Sequence, residues 1–165
     1  MQIKTRLTLQ FLMAVAPIVL VSFFFIYYSS AKYRKDEFYD RLEKRALTTV
    51  EFLAKEERVD TSLLKVIDRV QKDNLPKENV TIYNEFNKPI YSSNDSTSFA
   101  FGSFVFKEIK EKSPVYFMQG DYEIVGLTYS HNKQKYTVIA GALDKYGLSK
   151  LNNLRNTLFF LFFYL

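Results

Sequence analysis

The chain has 165 residues, enough for one domain and not two, and with 47% hydrophobic residues it is not a disordered chain. It contains no cysteine and one histidine, which excludes a disulfide scaffold, a zinc finger, an iron–sulfur site, a cysteine nucleophile and a two-histidine metal site. The formal net charge is +5, but Lys4, Arg6 and Arg155 flank apolar runs. The other twenty basic residues are nearly balanced by eighteen acidic ones, so the net charge does not favour a nucleic-acid-binding protein.

The first apolar run has the length of a membrane span. No charged residue occurs from position 7 to position 31, and the apolar core extends from Leu7 to Tyr28. As a helix this core would rise ~33 Å, which matches a hydrocarbon layer of ~30 Å. A cleaved signal peptide is the alternative, but its apolar core is ordinarily shorter. We therefore predict an uncleaved transmembrane helix over residues 7–28.

The chain ends in a second apolar run, NTLFFLFFYL, which follows Arg155. Ten helical residues rise only ~15 Å, about half of a bilayer. A buried helix of a soluble domain is the alternative interpretation. We expect residues 151–165 to be the start of a second transmembrane helix, and the chain to be the N-terminal part of a longer protein.

Basic residues flank the first span on both sides, and they favour opposite orientations. Lys4 and Arg6 in the short N-terminus favour a cytoplasmic location for residues 1–6. Three basic residues follow the span, but long domains are translocated largely regardless of charge. We therefore predict that residues 29–150 form a domain outside the cytoplasmic membrane. The three residues on the outer flank are Lys32, Arg34 and Lys35.

Residues 31–57 contain no glycine or proline and predict a helical stalk that continues the membrane helix. A second helix is predicted from a cap at Asp60 or Thr61 to the break at Asn74-Leu75-Pro76. Its inward residues would be Leu63, Leu64, Ile67 and Val70. One face of the stalk is apolar and carries Phe38, Leu42, Ala46, Thr49, Val50 and Leu53.

The rest of the domain predicts an antiparallel sheet with one helical insertion. Two hairpins are expected, the first around a turn at Asn84–Pro89 and the second around His131-Asn132-Lys133-Gln134. Both faces of the second hairpin are apolar, so we expect both faces of the sheet to be covered. The predicted strands are Val80–Tyr83, Ile90–Ser92, Val115–Met118, Tyr122–Ser130 and Lys135–Leu143, with a polar loop at Asn94–Ser98, a helix at Gly102–Lys112 and a final helix from Leu148.

Several segments resemble the N-terminal sensor region of membrane-bound two-component histidine kinases of bacteria. They are QIKTRLTLQFLMAV, the stalk YRKDEFYDRLEKRA, the hairpin VTIYNEFNKPIYSS, the strand FMQGDYEIVGLTY and the exit segment DKYGLSKLNNLR. The resemblance covers essentially the whole chain, although none of these segments is a catalytic signature. Similar regions also precede chemoreceptors and cyclic-nucleotide enzymes.

The resemblance implies an α+β, PAS-like (Cache-type) sensor domain, anchored in the cytoplasmic membrane between two transmembrane helices and exposed to the periplasm or exterior. It also implies a homodimer, and a cytoplasmic kinase module in the same parent chain that takes part in a phosphorelay. The chain itself would pass a conformational change through paired helices. Its ligand is not indicated by the sequence.

No catalytic, cofactor-binding or metal-binding residue is predicted. His131 lies in a predicted turn and is followed by Asn132 and Lys133, unlike a phospho-accepting histidine. The five glycines are too scattered for an ATP-binding loop. Four residues of the second hairpin could present polar groups to a small molecule, but core and rim roles explain them better, and no site is assigned to them. These residues are Asp121, Tyr122, Tyr129 and Tyr136.

Two functions remain open from the sequence. The first is the input module of a histidine kinase, without catalysis of its own. The second is a membrane-anchored envelope interaction or assembly protein that binds another protein through a sheet edge.

Overall fold

The computed structural model of the chain describes residues 3–55, 75–94, 99 and 101–164. The predicted second helix, residues 60–74, lies outside the described residues, as do most of the polar loop and residues 56–57 of the stalk. The chain divides into two compact units. One contains Met1–Asp36 and Tyr146–Leu165, and the other contains Glu37–Lys145.

The first helix, α1, is one unbroken α-helix over Ile3–Lys55, 53 residues long. It has no glycine and a single proline, Pro17, through which the helix continues. Ser22 donates a hydrogen bond from its hydroxyl to the carbonyl of Ile18 at 2.9 Å. The predicted stalk is therefore confirmed as far as Lys55.

Five antiparallel strands form one sheet with the order β2-β1-β5-β4-β3. The first and last strands of the chain are neighbours at its centre, where Val80 of β1 lies opposite Ala140 of β5. The strands are β1 (Asn79–Tyr83), β2 (Pro89–Ser92), β3 (Val115–Gln119), β4 (Tyr122–His131) and β5 (Gln134–Ala142).

Three tight turns set the strand registers. Asn84 closes the β1–β2 turn, because its side-chain oxygen accepts hydrogen bonds from the amides of Phe86 and Lys88. Gly120 has a φ of +60° in the two-residue β3–β4 turn, a conformation that favours glycine. Asn132 and Lys133 both have positive φ and form a two-residue turn that suits the twist of a hairpin.

That turn corrects one prediction, because His131 is the last residue of β4 rather than part of the turn. It pairs directly with Gln134 of β5. A four-residue connection was expected from four polar residues in a row. Left-handed conformations at only two of them are enough to reverse the chain.

Two helices complete the described fold. The helix α2 (Ser103–Lys112) lies between β2 and β3, as predicted, and begins after Gly102. The helix α3 (Lys145–Tyr164) begins three residues earlier than the expected Leu148. Gly147 in its first turn is tolerated in a helix, at about 1 kcal/mol relative to alanine.

Both faces of the sheet are covered, as the apolar second hairpin predicts. On one face, α1 packs through Phe38, Leu42, Ala46 and Val50, all fully buried. On the other face, α2 packs through Phe106 and Ile109. The predicted apolar face of the stalk is thus confirmed, with Thr49 buried beside it and Leu53 partly buried.

Candidate functional site

The first half of α1 exposes apolar side chains along its length. Leu7 and Phe11 are each 69% exposed, and Phe24 is 73% exposed. The most apolar 18-residue window of this helix has a mean hydropathy of 2.4, and none of it is buried. Among the described residues, α1 is the one helix that is long and apolar enough to cross a membrane, a property that a signal sequence near the N-terminus shares.

In the second half of α1, by contrast, one row of apolar side chains is buried. Its charged residues alternate with a buried apolar stripe from Phe38 to Val50, which contacts Val125, Val138 and Ala140 of the central strands. Burial of such a stripe, rather than helix propensity, is what fixes a helix on a sheet. One helix therefore carries both an exposed apolar segment and a buried stripe that packs on the sheet.

An ion pair joins α1 to the chain just before β1. The Arg45 Nε lies 2.7 Å from the Glu78 Oε1, and the two side chains are only 15% and 8% exposed. The other carboxylate oxygen of Glu78 accepts a hydrogen bond from the amide of Leu75 at 3.0 Å. Since the pair is nearly desolvated, losing one partner would leave a poorly solvated charge.

A tyrosine pair joins α1 to β3 at the edge of the sheet. Tyr116 donates a hydrogen bond to the Glu43 carboxylate at 2.8 Å, and its ring centroid lies 4.9 Å from that of Tyr39. Tyr39 in turn donates to the carbonyl of Phe117 at 3.4 Å. Partial burial, and then the hydrogen bond to Glu43, raise the pKa of Tyr116 to about 12.

These two links were not predicted from the sequence. The paired residues are 33 and 73 positions apart, so no local pattern brings them together. The only available signal was the presence of Glu43 and Arg45 next to the apolar stripe of the stalk.

A polar cluster closes the first hairpin. The side-chain oxygen of Asn79 accepts hydrogen bonds from the Ser92 hydroxyl at 3.1 Å and from the Asn94 amide at 3.2 Å. The Ser93 hydroxyl accepts a bond from the amide of Val80 at 2.9 Å. Asn79 is 1% exposed, so these bonds satisfy a buried amide and have a structural role.

The face of the sheet opposite α1 is rich in aromatic rings. Phe99 packs edge to face with Tyr122, and their centroids are 5.2 Å apart. The Phe99 ring lies over Gly141, where an added Cβ would be 2.7 Å from the ring carbons. Gly126 similarly makes room for Ile109 of α2. The aromatic face is closely packed by the protein's own side chains.

The four hairpin residues chosen from the sequence are not brought together. Tyr122 packs on the aromatic face, whereas Tyr129 and Tyr136 lie opposite one another in the sheet and pack on the face covered by α1. Asp121 is exposed in the β3–β4 turn. Strand alternation separates these side chains, so they do not form a common site.

Acidic side chains and one histidine are found among the described residues. No group of three or more histidine, aspartate and glutamate side chains among them could hold a metal ion. His131 is half-buried at the end of β4. Two buried acids, Glu123 and Asp144, are each 3% exposed and lie in the folded unit.

No protein-family model matches the chain, and a search of the curated proteins finds no match. The candidate functional element is therefore defined by structure alone: the α1 helix, its exposed apolar segment and its two polar links, one to the segment before β1 and one to β3.

Proposed function

We propose that this chain is the extracytoplasmic input module of a bacterial membrane-bound histidine kinase. The exposed apolar segment of α1 would cross the cytoplasmic membrane, and the sheet would respond to a signal outside it. The module performs no catalysis. It passes a conformational change through paired transmembrane helices to a cytoplasmic kinase module of the parent protein, which acts as a homodimer.

The continuity of α1 is the observation that carries this proposal. A single helix from Ile3 to Lys55 contains both the membrane-length apolar segment and the stripe packed on the sheet. A change in the sheet that moves the stripe would act directly on the helix that carries the apolar segment. Small helix shifts of this kind are an established mode of signal transmission.

The sheet supports the PAS-like part of the proposal. Its five antiparallel strands pair the first strand with the last at the centre, and a helix is inserted between the second and third strands. The long N-terminal helix covers one face and the inserted helix covers the other. This arrangement agrees with the architecture that the sequence resemblance implies.

A chimaera tests the proposal directly. Residues 1–165 are joined in frame to the cytoplasmic region of a known sensor kinase, and autophosphorylation is measured in membrane vesicles. Arg45→Met breaks the link between α1 and the chain before β1. We expect it to change autophosphorylation by roughly fivefold or more, the usual size of coupling between sites.

Lys44→Met is the matched control. The Lys44 Nζ lies 2.7 Å from a carboxylate oxygen of Asp40 on the same helix, and both side chains are exposed. It should leave the kinase activity unchanged. If the autophosphorylation of an active chimaera were unchanged by Arg45→Met, transmission of the signal through α1 would be contradicted.

The second candidate, a membrane-anchored interaction protein, is favoured by one feature. The edge strand β3, VYFMQ, contains no charge and no proline, and its Met118 is 60% exposed. Such an edge can pair with an extended segment of another protein. Met118→Lys would prevent capture of that partner, whereas it should not alter the output of the kinase chimaera.

A further inference from the structure

The net positive charge of the chain lies in one of its two units. The folded unit, Glu37–Lys145, contains sixteen basic and seventeen acidic residues and is almost neutral. The other unit contains seven basic residues and a single acid, Asp36. Five of those seven lie between the apolar runs and the folded unit. Positive charge is therefore concentrated in the stretches of sequence that join the proposed spans to the folded unit.

The exposed basic residues of this unit include Lys32 on α1 and Lys150 and Arg155 on α3. We name these three the headgroup residues. Two large aromatic side chains accompany them, since Tyr33 is 71% exposed and Tyr146 is 66% exposed. The Lys150 ammonium lies 4.4 Å from the centroid of the Tyr146 ring. Exposed tyrosines beside cations are typical of the layer between lipid and water.

Their spacing from the apolar runs matches the depth of that layer. Lys32 follows Tyr28 by four residues, a rise of ~6 Å, and the headgroup layer is about 5–7 Å thick on each side. Arg155 precedes the second apolar run directly, and Lys150 lies six residues, or ~9 Å along the helix, before the start of that run. Each cation can thus reach lipid phosphates without entering the hydrocarbon.

We propose that the headgroup residues bind the phosphate groups of acidic phospholipids in the leaflet adjoining the folded unit, so that the helices hold such lipids around them. The inference rests on the membrane-anchored part of the proposed function. It does not depend on which side of the membrane the folded unit occupies. Opposite charge and an exposed, acid-poor surface at headgroup depth argue for this ligand.

The full chain is reconstituted into phosphatidylcholine vesicles that contain a trace of spin-labelled phosphatidylglycerol or of spin-labelled phosphatidylcholine. Electron paramagnetic resonance measures the motionally restricted fraction of each lipid at the protein surface. We expect roughly a fivefold preference for phosphatidylglycerol at low salt, decreasing at high salt because the charges are screened. K32Q/K150Q/R155Q should reduce it to about twofold, the share left to the remaining basic residues.

The matched control is K88Q/K107Q/K135Q, which removes three exposed lysines of the folded unit and should keep the full preference. Equal restriction of both lipids by the unmodified protein would overturn the proposal, as would an equal loss in the control. If neither lipid were restricted, the chain would not be anchored in the bilayer, and the proposed function would be the part that fails.

Discussion

Gly126 of β4 lies beneath Ile109 of α2, so closely that an added Cβ would come within 2.6 Å of the Ile109 Cγ1. Ile109 is fully buried and has little room to move. Gly126→Ala should therefore lower the free energy of unfolding by about 1–3 kcal/mol, the usual range for an overpacked core. Urea unfolding followed by circular dichroism measures this.

A double mutant tests the assigned cause. In an Ile109→Ala background, Gly126→Ala should have less than about half of its effect, because the colliding atoms are gone. Gly102→Ala is the control, since its added Cβ meets nothing within 4 Å. Equal effects of Gly126→Ala with and without Ile109 would contradict the proposed collision.

Tyr116 gives the stability of the folded unit a dependence on alkaline pH. Its folded-state pKa, about 12, lies above the value of about 10 for an unfolded tyrosine. The folded state therefore holds this proton more tightly, and its stabilising contribution is present below pH ~10 and lost as the pH rises toward ~12. The stability difference between the unmodified protein and Tyr116→Phe should shrink over that range.

The measurement is the free energy of unfolding of both proteins at several alkaline pH values. Glu43→Gln provides a second variant, because it removes the acceptor charge while Tyr116 stays partly buried. The decline should still begin near pH ~10, the value for an unfolded tyrosine, but it should end at a lower pH than in the unmodified protein. Parallel curves for the unmodified protein and Tyr116→Phe would show that Tyr116 does not titrate as described.

At the scale of elements, the Arg45–Glu78 ion pair holds α1 to the segment before β1. Its two side chains are 15% and 8% exposed, whereas those of the Lys44–Asp40 pair are 72% and 59% exposed. A double-mutant cycle with Arg45→Met and Glu78→Gln should give a coupling energy of about 1–3 kcal/mol. The same cycle on Lys44 and Asp40 should give less than about 0.5 kcal/mol. Similar values for the two pairs would show that burial does not strengthen the first.

The elements themselves were largely predictable from the sequence. The alternation of apolar residues in Tyr122–Ser130 and Lys135–Leu143 predicted two paired strands, and their apolar character on both sides predicted two covering layers. The stripe from Phe38 to Val50 predicted the face that α1 buries. These patterns have periods of two and of about 3.6 residues, and they are visible in any short window.

The sites were less predictable, because they depend on distant pairs and on strand parity. Tyr122 and Tyr129 belong to one hairpin, and their odd separation along β4 places them on opposite faces of the sheet. The Glu43–Tyr116 bond joins residues 73 positions apart, and only the fold brings them together. The final helix was expected from Leu148 and begins at Lys145, so that Gly147 lies inside its first turn.

At the scale of the whole molecule, the orientation in the membrane remains a prediction that can be tested. Alkaline phosphatase fused after Ser98 should be active, because we expect residues 29–150 outside the cytoplasm. The same enzyme fused after Arg6 should be inactive and serves as the control. Inactivity at Ser98, with activity of a cytoplasmic reporter there, would reverse the proposed orientation.

An unbroken α1 has one more consequence, which concerns angular phase. A straight α-helix turns by about 100° per residue, so one alanine inserted between Tyr28 and Phe38 would rotate the exposed apolar segment against the buried stripe by that angle. Seven inserted residues would return the rotation to within about 20°. Signalling by a module built in this way should therefore vary with insertion length in a wave, disturbed by one to three residues and largely restored by seven.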